Sequence, residues 1–597
     1  SVGLSENMVA PPAPPSTQSS SSTNSMHRRS RRNAPLARSL QAVALITLGL
    51  SIVASFSANA AQPNILLLMA EDLSPRIGSF GDPIARTPAI DRLAEQGVRY
   101  PNVFTTAGVC APSRAALMLG RHQNSTGTQH MRTSDGPLGE YLAVPPPEAK
   151  AFPELLRRAG YFTYQHGKLD YQFSGVRSGT GPSSIWDAED NDRQWADRDG
   201  DQPFFGMVNF MVTHESGIFA PLGTWPRGLF HFVMQLAQAN MRTGWTENVI
   251  ATDPAKVDLP PYYPDLPELR ADLARQYDNI QIMDAQVAAI LERLEQDGLA
   301  DGTIVIWTTD HGDGLPRAKR ELFESGIRVP MIIRWPESLR PKDLIPGTLD
   351  SRMISFVDLT STILALAGVV DAPGAHGHDF LDPRVPEREY VYASRDRIDD
   401  ALDRQRAVRD ERYKYIRSYH PNLASSNLSD FRENQAGMRA WRAAFEAGDL
   451  TDIEGRFFQG PGEEQLYDLD QDPFEINNLI ASPEHMAIRE RLRAAYADFE
   501  ARIPDLGAIP ESELRERYWP GGEQPVTRRP VFAAGDGRIS LSAPDEGASI
   551  ELSIDRSPFR PYVEPFTVSP GTRLSARAIR YGWEESPVVG FRMPGQE

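Results

Sequence analysis

The chain has 597 residues, 40% of them hydrophobic and 24% charged, with a formal net charge of −18 and one cysteine. This ordinary globular composition excludes a collagen-like, coiled-coil or wholly disordered chain, and the length implies about four domains or one large α/β domain with additions. A single cysteine excludes an intrachain disulfide framework and any cysteine-based zinc or iron–sulfur site. The acidic balance repels nucleic acid at long range, so an anionic ligand needs a local cluster of cations.

Residues 1–25 are rich in Ser and Pro and read as a disordered leader. His27 to Arg38 is basic, Ser39 to Phe56 is almost wholly apolar, and Ala58-Asn59-Ala60 is an A-x-A cleavage site. That pattern is a secretory signal peptide, too short and wrongly flanked for a membrane span. The mature chain is expected to start at Ala61 and to work in the periplasm or outside the cell. No later apolar run is long enough to cross a bilayer.

From residue 63 to about 370 strands and helices alternate. Ile65–Met69 is a continuous apolar run, as in a strand buried on both faces. Pro88–Gln96 reads as an amphipathic helix with Gly97 as its C′ residue, and Phe152–Ala159 repeats the device with Gly160. Tyr161–Tyr164 and Phe204–Val212 follow as strands. Leu266–Gln296 is the longest helical pattern, closed by Gly298. Thr303–Trp307 and Val329–Arg334 are strands, and Val357–Ala367 is a helix. Strands separated by helices imply a mainly parallel sheet covered on both faces, with ligands at the carboxyl ends of its strands. Beyond residue 380 the texture is more mixed. Ala407–Ile416 and Glu464–Leu469 read as strands of a smaller sheet under a helix at His485–Arg502. Pro520–Pro525 is a linker, and the period-2 runs after it read as a small β-sandwich.

The polar motifs follow those strand ends. They are Glu71-Asp72, Cys110-Ala111-Pro112-Ser113-Arg114, Gly167-Lys168, His214, and Asp310-His311 with Lys319 after it. Each alone has a bland reading as a solvated turn or a packed side chain. Together, strand-end carboxylates converge as hard oxygen ligands for Ca²⁺ or Mg²⁺, and Lys, His and Arg can neutralise a tetrahedral oxyanion. A helix opening at Cys110 favours that anion too.

The segment Cys110–Arg121 closely resembles the C-x-P-S-R-x(4)-T-G signature of type I (formylglycine-dependent) sulfatases, with Leu119 in place of the usual Thr. Asp310-His311-Gly312, the run from Lys319 through Glu324 to Pro330, and Leu466–Leu469 with Asp472-Pro473 resemble later motifs of that family, in its order. Thr213–Ser216 and Pro316–Lys319 resemble most closely its bacterial branch related to heparan N-sulfatase (sulfamidase).

The resemblance implies an alkaline-phosphatase-like α/β fold, a mainly parallel sheet sandwiched by helices, followed by a smaller C-terminal α+β subdomain and a terminal β-sandwich. The expected boundaries are 1–60 leader, 61–380 catalytic domain, 381–520 subdomain and 526–597 accessory sandwich. It implies that a maturation enzyme oxidises Cys110 to formylglycine, whose hydrate is the nucleophile: one hydroxyl attacks and the other later expels sulfate. Glu71, Asp72, Asp310 and His311, together with Cys110, match the divalent-metal site, with Ca²⁺ expected and Mg²⁺ as the alternative. Arg114 and Lys168 match residues that hold the hydrate and the sulfate. His214 and Lys319 match residues that bind sulfate and assist the leaving group. Glu71 stands where many members have Asp. Asp170 replaces a usual His, so it is taken as facing the substrate, and His122 and His130 are further candidate substrate contacts or else structural.

The implied reaction is metal- and formylglycine-dependent hydrolysis of sulfate on oxygen or on a glucosamine nitrogen of a sulfated saccharide. The family branch tilts this towards glycosaminoglycan-type substrates. The alternatives are a phosphonate or phosphate ester hydrolase, which Cys110 disfavours, and a non-enzymatic sugar-binding scaffold.

Overall fold

The strand runs read above form the centre of the molecule. In the computed structural model, described over residues 62–593 except 132–140, 174–181, 190–192, 370–371, 399–400, 427–428 and 536–537, they assemble into a seven-stranded sheet. Its members are β1 (Asn64–Ala70), β2 (Gly97–Phe104), β3 (Phe162–His166), β4 (Phe204–Phe210), β5 (Thr303–Thr309), β6 (Arg328–Arg334) and β7 (Ile354–Ser355), in the order β3-β4-β1-β5-β6-β2-β7. The pairings β3–β4, β4–β1, β1–β5 and β2–β7 are parallel, and β6 runs antiparallel to both its neighbours. The signal peptide expected at 26–60 lies outside the described residues. No described helix is long and apolar enough to cross a membrane.

β1 shows why the sheet is buried on both faces. Ile65, Leu67 and Met69 enter one core with the helices Cys110–Leu119, Phe152–Arg158 and Phe356–Leu366. Leu66, Leu68 and Ala70 enter the other with Pro88–Gln96 and Pro267–Gln296. Side chains alternate along a strand, so an unbroken apolar run serves two cores at once. Each Leu so buried contributes about 1.5–3 kcal/mol.

Three details differ from the sequence reading. β2 carries no clean pattern because Pro101 and Asn102 interrupt it, and its register against β6 shifts between Tyr100 and Val103. Gly97 is not a left-handed cap. Its φ is −123° and it opens β2, where an added Cβ would lie 2.5 Å from the Ile333 carbonyl oxygen. Ala407–Ile416 is not one strand but a hairpin between β9 (Gln405–Arg409) and β10 (Tyr413–Ser418). Asp410 Oδ1 accepts from the backbone N–H of Arg412 at 2.8 Å and of Tyr413 at 2.6 Å, which reverses the chain.

With β8 (Val391–Arg395) and β11 (Glu464–Asp468) these strands form an antiparallel sheet in the order β11-β10-β9-β8. The helix Met486–Arg502 packs Leu492, Tyr496 and Phe499 on it. The last strands, β12 (Val531–Gly535) to β17 (Val589–Arg592), form a hairpin and a four-stranded sheet that share one apolar cluster.

These terminal strands are anchored in the central body. Tyr581 is buried in the same core as Phe152, its ring stacks on Phe173 at 5.2 Å, and its hydroxyl donates to Glu154 Oε2 at 2.6 Å. Arg157 Nη1 pairs with Glu551 Oε1 at 2.9 Å. Tyr581→Ala is therefore expected to destabilise the central body, and not only the terminal strands, by about 3–5 kcal/mol. Urea denaturation followed by tryptophan fluorescence checks this: a freely separable terminal domain would leave the main transition unmoved.

Candidate active site

β1 and β5 pair in parallel with Ala70 opposite Thr309. The residues that follow them, Glu71-Asp72 and Asp310-His311, therefore leave the sheet side by side. The two turns are tied together: the Asp72 N–H donates to Asp310 Oδ1 at 3.0 Å and the Leu73 N–H to the His311 carbonyl at 3.2 Å. Asp72 itself has φ of 48°, in the left-handed region. Such a conformation persists only where surrounding contacts hold it.

Cys110 is the first residue of the helix Cys110–Leu119, with Val109 extended before it. Its Sγ lies 3.3 Å from His311 Nε2 and 3.8 Å from Asp72 Oδ1. Gly108 lets the loop carrying Lys319 approach closely: a Cβ there would lie 2.3 Å from the Glu321 carbonyl oxygen, and the Arg320 N–H donates to Gly108 O at 2.7 Å.

One helical turn on, Arg114 has no exposed surface. Its Nε donates to Asp310 Oδ2 at 3.0 Å, Nη1 to Asn209 Oδ1 at 2.8 Å, and Nη2 pairs with Glu71. Lys168 reaches in from the end of β3, its Nζ 2.6 Å from Glu71 Oε2. Lys319 Nζ lies 2.6 Å from Asp72 Oδ2 and 3.3 Å from His214 Nε2. An ammonium can only donate, so His214 Nε2 accepts there, while Nδ1 lies 2.9 Å from Ser216 Oγ and 3.3 Å from the Ser216 N–H.

Glu71, Asp72, Asp310 and Glu215 are fully buried carboxylates. A buried charge without a partner costs several kcal/mol, so the interleaved Arg114, Lys168, Lys319 and Arg320 are a structural necessity. Burial opposes ionisation of Asp72, yet Lys319 and the two histidines outweigh it and hold the group well below the usual carboxylate range. The histidines divide. Burial would lower His311, but Asp310 and Asp72 overcome this and push it up to about 10. Burial and then Lys319 press His214 down to about 3, against the pull of Asp72. One ring is cationic and the other neutral, and both stand beside Asp72.

The donor set suits a hard divalent cation. Asp72, Cys110, Asp310 and His311 each bring a ligand atom to within 4.8 Å of one another, and Glu71, Asp72, Cys110 and His214 form an overlapping group. A cage of carboxylates matches oxygen-seeking ions, and the proton that His311 holds is one that a bound cation would displace.

Of the residues read from sequence, Glu71, Asp72, Cys110, Arg114, Lys168, His214, Asp310, His311 and Lys319 all come together here. Asp170 is buried at the margin, its carboxylate 3.7 Å from Lys168 Nζ. His122 and His130, read as substrate contacts or else structural, lie among packed rings. The His122 ring is 4% exposed, stacks on His376 at 5.8 Å and meets Phe499 edge-on at 4.8 Å. His130 is buried edge-on against Tyr141 at 5.0 Å. Three residues were missed. Asn209 is the one polar side chain in the run Phe204–Phe210, which is the signal it offered. Glu215 and Arg320 pair bidentately at 2.7 Å behind Lys319.

The chain is similar to several known proteins. A family model described as Sulfatase matches residues 63–369, and one described as N-sulphoglucosamine sulphohydrolase, C-terminal, matches 317–451. An ulvan-active sulfatase of Formosa agariphila is 37% identical over 558 residues, covering 88% of this chain and 91% of that protein. The human N-sulphoglucosamine sulphohydrolase is 26% identical over 499 residues, covering 76% and 94%. Among solved structures, a 2-O GAG sulfatase shares the fold with a TM-score of 0.51 at 19% identity, covering 74% of this chain and 93% of that one.

Burial alone would raise the Glu215 carboxyl, but Arg320 and then Lys319 outweigh it and bring it down to about 2 from 4.5. Its contribution to stability is thus complete above about pH 4.5 and lost as pH falls towards about 2. Arg320→Met is expected to cost about 3–5 kcal/mol by stranding Glu215. Urea denaturation between pH 2 and 7 checks both effects, since Glu215→Gln should remove this part of the acid dependence.

Proposed function

Since the chain belongs to the sulfatase family, we propose that it hydrolyses sulfate esters or N-sulfate on a sulfated saccharide, releasing inorganic sulfate. The observation that carries the mechanism is the placement of Cys110 at a helix N-terminus, 3.3 Å from His311 and 3.8 Å from Asp72, inside a buried ring of paired charges.

In this reading Cys110 is oxidised to formylglycine by a maturation enzyme, and Glu71, Asp72, Asp310 and His311 hold Ca²⁺, with Mg²⁺ as the alternative. The bound ion would supply Lewis acidity at the sulfate oxygens. The hydrated aldehyde would supply two hydroxyls, one for attack on sulfur and one for sulfate release, which a plain thiol lacks.

The remaining work falls to side chains already in place. Arg114 bridges Glu71 and Asp310, so it fixes the two carboxylates and the base of the Cys110 helix at once. Lys168 and Lys319 present ammonium groups to the sulfate oxygens. Burial would weaken the Lys319 charge, but Asp72 reverses this and raises its pKa. Lys319 is therefore a fixed cation and a poor acid. His214, held neutral and hydrogen-bonded to Lys319, stays an acceptor beside that cation, and the two together bind the sulfate and assist the leaving group. Asp170 faces the substrate beside Lys168.

The names of the relatives, ulvan-active and N-sulphoglucosamine sulphohydrolase, support a saccharide cut from a sulfated polysaccharide. The basic, apolar and A-x-A segments of the leader support export to the periplasm or beyond. Catalysis is assigned to 61–380, with 381–520 completing the body and 526–597 forming the terminal β-sandwich.

Protein from a host with the maturation enzyme should be about 18 Da lighter at Cys110 than the sequence mass, read by intact mass spectrometry. Cys110→Ala should lower sulfate release at least about a thousand-fold with the fold intact. Chelation should remove activity and Ca²⁺ restore it; turnover by metal-free protein would refute the cage.

A further inference from the structure

Ser216 joins the catalytic cluster to a second cavity. Its Oγ faces His214 Nδ1 at 2.9 Å and accepts from Gln238 Nε2 at 2.8 Å. Both residues line a cavity of about 270 Å³, with Arg242 and Arg275 on the same wall and Thr243 and Thr246 near them. That volume is below the usual range for a whole drug-sized ligand and suits one substituent with part of a ring.

Among the described residues neither guanidinium group forms a close ion pair, and burial lowers the pKa of both. Arg242 donates to the neutral amide oxygen of Asn279 and has no carboxylate partner, and its Nε is a buried donor without an acceptor. Among the described residues Arg275 has neither a hydrogen bond nor an ion pair, and its Nε is buried likewise. The acids nearby are engaged elsewhere. Asp272 accepts from the Gly437 N–H at 2.7 Å, and Asp278 from the Thr252 N–H at 2.8 Å. Burial also pushes Asp272 up to about 7, against the Gly437 N–H and the pull of Arg275. The basic groups of the cluster form close ion pairs, whereas these two arginines, among the described residues, feel Asp272 and Asp278 only at longer range. Paired forks of unshared N–H donors in a concave site are the geometry of oxyanion recognition.

We propose that this cavity binds a second oxyanion, a sulfate ester or a carboxylate, on the same saccharide whose scissile sulfate lies at Cys110. The chain then selects glycans carrying at least two anionic groups over monosulfated ones. This deepens the sulfatase reading and rests on it, through the Ser216–His214 link between the two sites.

The test is titration calorimetry on Cys110→Ala protein, so that affinity is measured whether or not sulfate is released. Sucrose octasulfate and trigalacturonic acid serve as sulfate-only and carboxylate-only probes and tell the two sources apart. Arg275→Gln in that background should weaken the bound probe at least about tenfold, and Arg275→Lys should recover part of it. The thermal midpoint of Arg275→Gln should stay level or rise, because an unpartnered charge is removed. Three results would overturn the proposal: no binding of either probe by the parent, an unchanged Kd in Arg275→Gln, or a weaker Kd that comes with a lower midpoint and no recovery in Arg275→Lys. Failure here leaves sulfate release by Cys110 protein intact, and failure of sulfate release leaves these affinities readable.

Discussion

The site depends on the register of β1 against β5. Ala70 opposite Thr309 delivers Glu71, Asp72, Asp310 and His311 to one point. A slip of one residue would turn every side chain of the strand to the other face and send half of the cage into an apolar core. β1 is apolar on both faces, so its register rests on the fit of its side chains in the two cores and on the ties from the Asp72 N–H to Asp310 and the Leu73 N–H to the His311 carbonyl. Packing of Leu66, Leu67 and Leu68 therefore places the carboxylates, although none of these leucines touches them.

Placing the carboxylates creates an electrostatic problem, and its solution organises the surrounding loops. Each buried acid is met by a cation from a different element. The helix after Cys110 supplies Arg114, the loop after β3 supplies Lys168, and the loop after β5 supplies Lys319 and Arg320. The ion pairs are cross-ties between segments distant in sequence. Because losing one partner strands a charge at a cost of about 3–5 kcal/mol, the segments hold one another in place. Such a site is rigid before substrate arrives, and preorganised charges do not have to reorient during reaction.

This also explains what could be read from sequence. Polar motifs of the cluster were legible where an apolar run stops, as Asp310 does after Thr303–Thr309. Helices such as Pro88–Gln96 were legible because Pro at the first turn and apolar spacing agree. β2 was hidden by Pro101, and the Asp410 turn by a run that looked continuous. Glu215 with Arg320 was hidden for another reason: the pair is 105 positions apart and has no local pattern. The sequence left His122 open between ligand and packing because its neighbours His376 and Phe499 come from far along the chain.

The two cation groups differ in a way that separates recognition from chemistry. In the catalytic cluster, Glu71, Asp72, Asp310 and Glu215 face Arg114, Lys168, Lys319 and Arg320, so fixed charges cancel and only the His311 proton leaves an excess. A divalent cation in place of that proton makes the cluster more attractive to an anion, so its grip on sulfate follows metal occupancy. Arg242 and Arg275 form no close ion pair among the described residues, so their attraction for an oxyanion does not wait on a metal. In a chain of net charge −18, which repels polyanions at a distance, this cavity offers capture that is always present. Binding through it would bring an anionic saccharide to the metal-dependent centre next door, one hydrogen bond from His214.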